Sequence, residues 1–145
     1  AALALSRRPP AGAQGQDGIE WQRGDLEGFD EPHRFEAVLS LGPLDAFARA
    51  MVEGRVQAGR VVAFGSTSVH VKAGSPDPAE RDVAVRLAAA EAALFAACRA
   101  RGLPCTVLRP TLVWGLGRDA TVSRIVRLAR RWPLLPLPLG APGLR

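Results

Sequence analysis

"RVVAFGSTS", residues 60–68, decides how the rest of the chain reads. Val61, Val62, Ala63 and Phe64 follow one another with no polar alternation, the pattern of a fully buried strand in a parallel sheet. A strand of this kind ends at the crevice where open α/β sheets take their ligands. The hydroxyls just beyond it, Ser66, Thr67 and Ser68, are therefore candidates for chemistry, provided they have partners.

Outward from this strand, turn residues cut the chain into alternating segments. "ALALS" (2–6) reads as a strand, followed by a loop rich in Pro, Gly and Gln, and "IEWQRGDL" (19–26) reads as the next. "FEAVLSLGP" (35–43) and "PCTVLRPTLVWG" (104–115) complete the set, with helices expected over 43–57 and from Pro78 to Arg101. Asp77-Pro78-Ala79-Glu80 supplies an N-cap, a proline at the first helical position and an acid at the third, and Gly102 and Pro104 close the far end. Val83, Leu87, Ala90, Leu94 and Ala97 make one apolar face of that helix. Strands alternating with helices predict an α/β fold with a parallel sheet, and 145 residues allow one core.

Composition narrows the partners. The net charge of +5 comes almost wholly from arginine, with Lys72 the only lysine, and much of it is scattered rather than gathered into a stripe. No nucleic-acid partner is expected. The densest basic part, "RDATVSRIVRLARRW" (118–132), sets Val122, Ile125, Leu128 and Trp132 at helical spacing against Arg124, Arg127 and Arg131. It fits the solvated face of an amphipathic helix, with membrane-surface or phosphate binding as the alternative. No apolar stretch is long enough to span a bilayer and the opening "AALALSRRPP" is too short for a signal peptide, so a soluble cytoplasmic protein without a membrane partner is expected. Cys98 and Cys105 read as reduced core thiols, and His33 and His70 have no ligand-spaced neighbours, so no metal is expected.

"GAQGQDG" (12–18) matches G-x-x-G-x-x-G at Gly12, Gly15 and Gly18. A phosphate loop must leave a strand directly and open a helix, whereas this one follows Arg-Arg-Pro-Pro and runs into a strand. It reads as a surface connection.

"LSRRPP" (5–10), "RGDL" (23–26), "AVLSLGPL" (37–44), "VVAFGSTSV" (61–69), "AAAEAAL" (88–94) and "GLPCTVLRPTLVWGLGRD" (102–119) together resemble consecutive landmarks of the NAD-dependent epimerase/dehydratase family, the extended and atypical short-chain dehydrogenase/reductases. "TVLRPTLVWG" is the most specific of them. The resemblance implies a partial Rossmann-type, doubly wound parallel sheet over 1–145 that starts at the family's second strand. Its first strand and glycine loop would lie ahead of Ala1, and 133–145 would be a Pro-rich connection toward a substrate-binding part. The chain is then expected to be an internal fragment, inactive alone.

The same resemblance implies a cofactor site. Arg7, assisted by Arg8, would meet the adenosine ribose, and a guanidinium there favours NADP over NAD. Asp25 and Leu26 would flank the adenine; Leu41, Gly42 and Pro43 would lie beside the ribose and pyrophosphate; Ser66 and Pro110 would complete the contacts. The plain alternatives are a surface arginine pair, an Asp capping a turn and a Gly-Pro that starts a helix. Ser66 also falls on the family's catalytic hydroxyl, with Val69 as the matching valine. Counted from Glu91, the family's Tyr-x-x-x-Lys pair falls on Val83 and Leu87, both aliphatic, and the chain contains no tyrosine. Arg86, His70 and Glu91 are poor replacements for that base: the first stays protonated, the second stands at a packing position and the third lies four residues beyond the site.

Two functions are left open. One is an NAD(P)-dependent epimerase, dehydratase or reductase acting on nucleotide sugars or similar hydroxyl compounds. The other is a dinucleotide-binding module without redox chemistry, serving as a sensor, assembly factor or scaffold. A separate feature, Arg130-x-x-Pro133-x-x-Pro136, has the letters of an SH3 ligand, a pattern that also arises by chance.

Overall fold

In the computed structural model, which describes residues 1–12, 18–111, 119 and 122–132, the run at Val61 is the middle strand of a three-stranded parallel sheet. In chain order the elements are β1 (Ala2–Ser6), β2 (Ile19–Arg23), β3 (Arg34–Phe35), β4 (Val38–Ser40), α1 (Leu44–Val52), β5 (Gln57–Ala58), β6 (Val61–Phe64), α2 (Ser68–Val71), α3 (Pro78–Ala100), β7 (Cys105–Leu108) and α4 (Val122–Arg131). The sheet order is β4-β6-β7, with Val38 opposite Val61 and Val61 opposite Cys105. β1 and β2 form a separate parallel pair, from Ala2 opposite Ile19 to Ser6 opposite Arg23. Every strand pairing among the described residues is parallel, and the α/β class predicted from the sequence holds.

Two units make up the chain, Ala1–Leu108 and Arg109–Arg145. In the first, α1 and α3 pack against each other and against one face of the three-stranded sheet. Val61 and Ala63 are buried there among Phe47, Met51, Leu94 and Cys98, and Leu3 and Leu5 of β1 pack on the same cluster. On the alternate face, Leu39 and Leu108 are 60% and 45% exposed. Full burial of β6 is therefore corrected: Val62 and Phe64 are only half-buried, because the all-apolar run does not reveal which face lacks a covering layer.

α3 begins as its sequence demands. Asp77 caps it, its Oδ1 accepting the Ala79 N–H at 2.9 Å, with Pro78 at the first position. Glu80 turns outward, its carboxylate accepting the Ser75 hydroxyl at 2.7 Å and pairing with Lys72 at 3.1 Å. The Ser75 bond first, then Lys72, hold that carboxyl below its usual range. At the far end Gly102, φ 64°, lets Leu103 donate back to the Cys98 carbonyl at 2.9 Å. The buried residues are Ala84, Ala90, Glu91, Leu94 and Cys98: Ala90 and Leu94 of the predicted face are among them, Val83, Leu87 and Ala97 are half-buried, and Glu91 is 5% exposed. Both cysteines are free thiols, and burial, with the Cys98 thiol beside it, pushes Cys105 up to about 12.

α1 is shorter than the predicted 43–57. Gly54, φ 79°, ends it in a left-handed turn. The Arg101 guanidinium then donates to the carbonyls of Met51 at 2.6 Å and Val56 at 3.3 Å. Gln57–Ala58 becomes a two-residue strand paired with Arg34–Phe35, and Gly59 donates to the Phe35 carbonyl at 2.8 Å. A Cβ on Gly59 would stand 2.8 Å from the Glu36 carbonyl oxygen, a backbone atom that cannot swing away. Gly59→Ala is accordingly expected to destabilise the protein by about 1 to 3 kcal/mol, the range of overpacked sites, read as a lowered urea midpoint. An unchanged midpoint would show that β3 and β5 separate freely.

Among the described residues no helix is long and apolar enough to cross a membrane, and no group of three or more His, Cys, Asp or Glu could hold a metal ion.

Candidate functional site

Because β4 and β6 are parallel neighbours, the residues just beyond Ser40 and Phe64 emerge at the same edge of the sheet. Gly42 and Ser66 each lie two residues past their strand, so both stand at this carboxyl edge. The Ser66 Oγ accepts the Ser68 N–H at 3.2 Å, and the Ser66 carbonyl accepts the Val69 N–H at 3.3 Å. Its hydroxyl thus helps turn the chain into α2, a local role, while its O–H can still donate to a ligand.

On the other parallel pair, Arg7 and Arg8 lie exposed in the bend after β1. The Arg8 N–H donates to the Ser6 Oγ at 3.2 Å, and the Ser6 carbonyl accepts the Gly24 N–H at 3.1 Å, fixing the end of β1 against the end of β2. Asp25 caps the next turn, its Oδ1 accepting the N–H groups of Glu27 and Gly28 at 3.1 and 3.0 Å. This is the plain role foreseen for it, and it also fixes Asp25 in place.

Leu26 and Gly42, far apart in sequence, are brought together. A Cβ on Gly42 would meet Leu26 Cδ1 at 3.8 Å, an ordinary contact, and among the described residues nothing else comes within 4 Å of it. Gly42 is thus open to the close approach of a ligand. Leu41 is 68% exposed, and Pro43 is the N-cap residue of α1, its carbonyl accepting the Phe47 N–H at 3.1 Å.

Arg55 was not singled out by any motif, yet it positions this edge. Its Nη1 donates to the carbonyl of Leu26 and, at 3.0 Å, to that of Phe29, while its Nε meets Glu53 at 2.7 Å. The bond to Leu26 spans 29 residues of sequence, which no local spacing could have disclosed.

Val83 and Leu87 are half-buried one turn apart on α3, and α2 packs against that helix. Neither carries a group that can move a proton. His70 and Arg86 are exposed. Pro110 is half-buried and belongs to the second unit. Residues 112–118 of the "GLPCTVLRPTLVWGLGRD" landmark, Gly15 of the glycine run, and Pro133 and Pro136 lie outside the described residues. Gly18 leads directly into β2.

Arg7, Asp25, Leu26 and Gly42 offer a guanidinium, a fixed turn, an apolar contact and an open backbone position to an adenosine phosphate. Among the described residues there is no glycine loop opening a helix toward a pyrophosphate. Compared with known proteins, the chain matches no family model and no curated protein.

Proposed function

We propose that the chain is the larger part of an NADP-binding, Rossmann-type domain similar to those of the NAD-dependent epimerase/dehydratase family. The observation that carries this reading is the break between the pair β1-β2 and the triplet β4-β6-β7, two of the three parallel sheets among the described residues. In the strand order 3-2-1-4-5-6, removal of strand 1 leaves a pair and a triplet. The pair β2-β1 and the triplet β4-β6-β7 have that composition and that sequence order. The dinucleotide would lie along the carboxyl ends of the strands, with Arg7 at the ribose phosphate and Gly42 against its backbone. NAD would be accommodated less well, since Arg7 would then have no phosphate to pair with.

Within this reading the chain's own residues bind and orient. When bound, the nicotinamide would supply hydride chemistry; Ser66 could donate a hydrogen bond to a substrate hydroxyl or carbonyl at the same edge. Val83 and Leu87 favour the module without redox chemistry over the nucleotide-sugar epimerase, dehydratase or reductase, because aliphatic side chains cannot serve as a general acid or base. The test is absorbance of NADPH across a panel of nucleotide sugars, using the chain with one strand and a glycine loop joined ahead of Ala1. NADPH binding without turnover is expected. Substrate-dependent oxidation would move the assignment to the enzyme and require a base outside the Val83 and Leu87 positions.

A further inference from the structure

α4 is amphipathic, and among the described residues none of its apolar side chains is buried. Ahead of it, Asp119 Oδ1 accepts the Ser123 N–H at 2.8 Å and its Oδ2 accepts the Ser123 hydroxyl at 2.6 Å, and at the other end the Trp132 N–H donates to the Leu128 carbonyl at 2.9 Å. Helical spacing gathers Val122, Ile125, Leu128 and Trp132 on one side and Arg124, Arg127, Arg130 and Arg131 on the other. No residue of the helix is buried; Ile125, Leu128 and Trp132 are 43%, 50% and 62% exposed. No acidic residue follows Asp119 in the sequence, so nothing later in the chain offsets the four arginines.

The sequence predicted no membrane partner because no stretch is long enough to span a bilayer, and it kept membrane-surface binding only as the alternative reading of this helix. The exposures favour that alternative. We infer that α4 is a docking surface for an anionic lipid bilayer, lying in the interface with Ile125, Leu128 and Trp132 among the upper acyl chains and the arginines on the lipid phosphates. A nucleic acid would meet the arginines and leave the apolar side in water. A protein groove would engage both sides only if it paired an apolar floor with an acidic rim. An anionic bilayer surface engages both at once, with tryptophan at the headgroup level that suits its ring.

Co-sedimentation of the whole chain with vesicles tests this. Vesicles of phosphatidylcholine and phosphatidylglycerol in equal parts should carry the protein down, vesicles of phosphatidylcholine alone should not, and added salt should release it. Each arginine near such a surface is worth roughly fivefold in affinity, so R127Q/R131Q should bind about thirty-fold more weakly. Leu128→Asp should abolish binding through the apolar side. Both substitutions are on exposed positions, and unchanged thermal unfolding would show that the rest of the chain is intact. Absence of binding, equal binding to neutral vesicles, or full binding by R127Q/R131Q would overturn the assignment. So would retention of the chain by duplex DNA with no response to vesicles.

Discussion

Phe47→Ala should destabilise the first unit by about 3 to 5 kcal/mol, the range for removing a buried phenyl ring. Phe47 is 1% exposed and belongs to the cluster that includes Leu44, Met51, Val61 and Leu94, where α1, α3 and β6 meet. Truncation would leave a cavity that neither helix can fill without abandoning its own contacts. A domain of this size holds about 5 to 15 kcal/mol in total, so the loss would take from about a fifth of it to all of it. Urea unfolding followed by circular dichroism measures the effect in the chain with one strand and a glycine loop joined ahead of Ala1, which is expected to unfold cooperatively, with Val85→Ala as the control. Val85 is 66% exposed and its truncation should cost within about 0.5 kcal/mol. Equal midpoints for the two variants would mean that α1 does not pack as described.

What could be read in advance follows from how local each signal is. The Asp77-Pro78 start and Gly102 end of α3 are set by a few adjacent residues, and they appear as predicted. The apolar run at β6 and the parallel pairing around it also follow from the pattern. The end of α1 does not. Apolar residues continue past Val52, and it is the left-handed Gly54 together with Arg101, from a distant helix end, that stops the helix and redirects 57–58 into a strand.

The candidate site divides in the same way. Ser66 and Gly42 share an edge because they follow parallel neighbours, which the pattern implies. The contact between Leu26 and Gly42, and the Arg55 guanidinium that holds the Leu26 carbonyl, depend on long-range closure. Glu91 shows the limit from the other direction. Helical periodicity found Ala90 and Leu94 of the buried stripe of α3 but not the carboxylate that lies in it.

The second large effect concerns the two sheets. β1 and β4 each have, among the described residues, one edge that pairs with no other strand. Their side chains Leu3, Leu5 and Val38 pack on one core, so a further parallel strand could join the two sheets while adding to the same apolar layer. A glycine loop leaving that strand would supply the backbone N–H groups that a pyrophosphate needs and that Arg7 cannot replace. Residues 1–145 alone are therefore expected to bind NADPH too weakly to detect at micromolar concentrations and to unfold with poor cooperativity. An extension of about 20 to 30 residues carrying one strand and a glycine loop should restore both. In the extended chain Arg7→Ala should weaken NADPH roughly tenfold or more and leave NADH unchanged, since only NADPH presents a phosphate to the guanidinium.

Calorimetric titration of NADPH into the extended chain and into residues 1–145 tests the dinucleotide site most directly. Micromolar binding by the extended chain, with no measurable heat from 1–145, is the predicted result. No binding by the extended chain would contradict the site itself, and micromolar binding by 1–145 would contradict the need for a strand between β1 and β4.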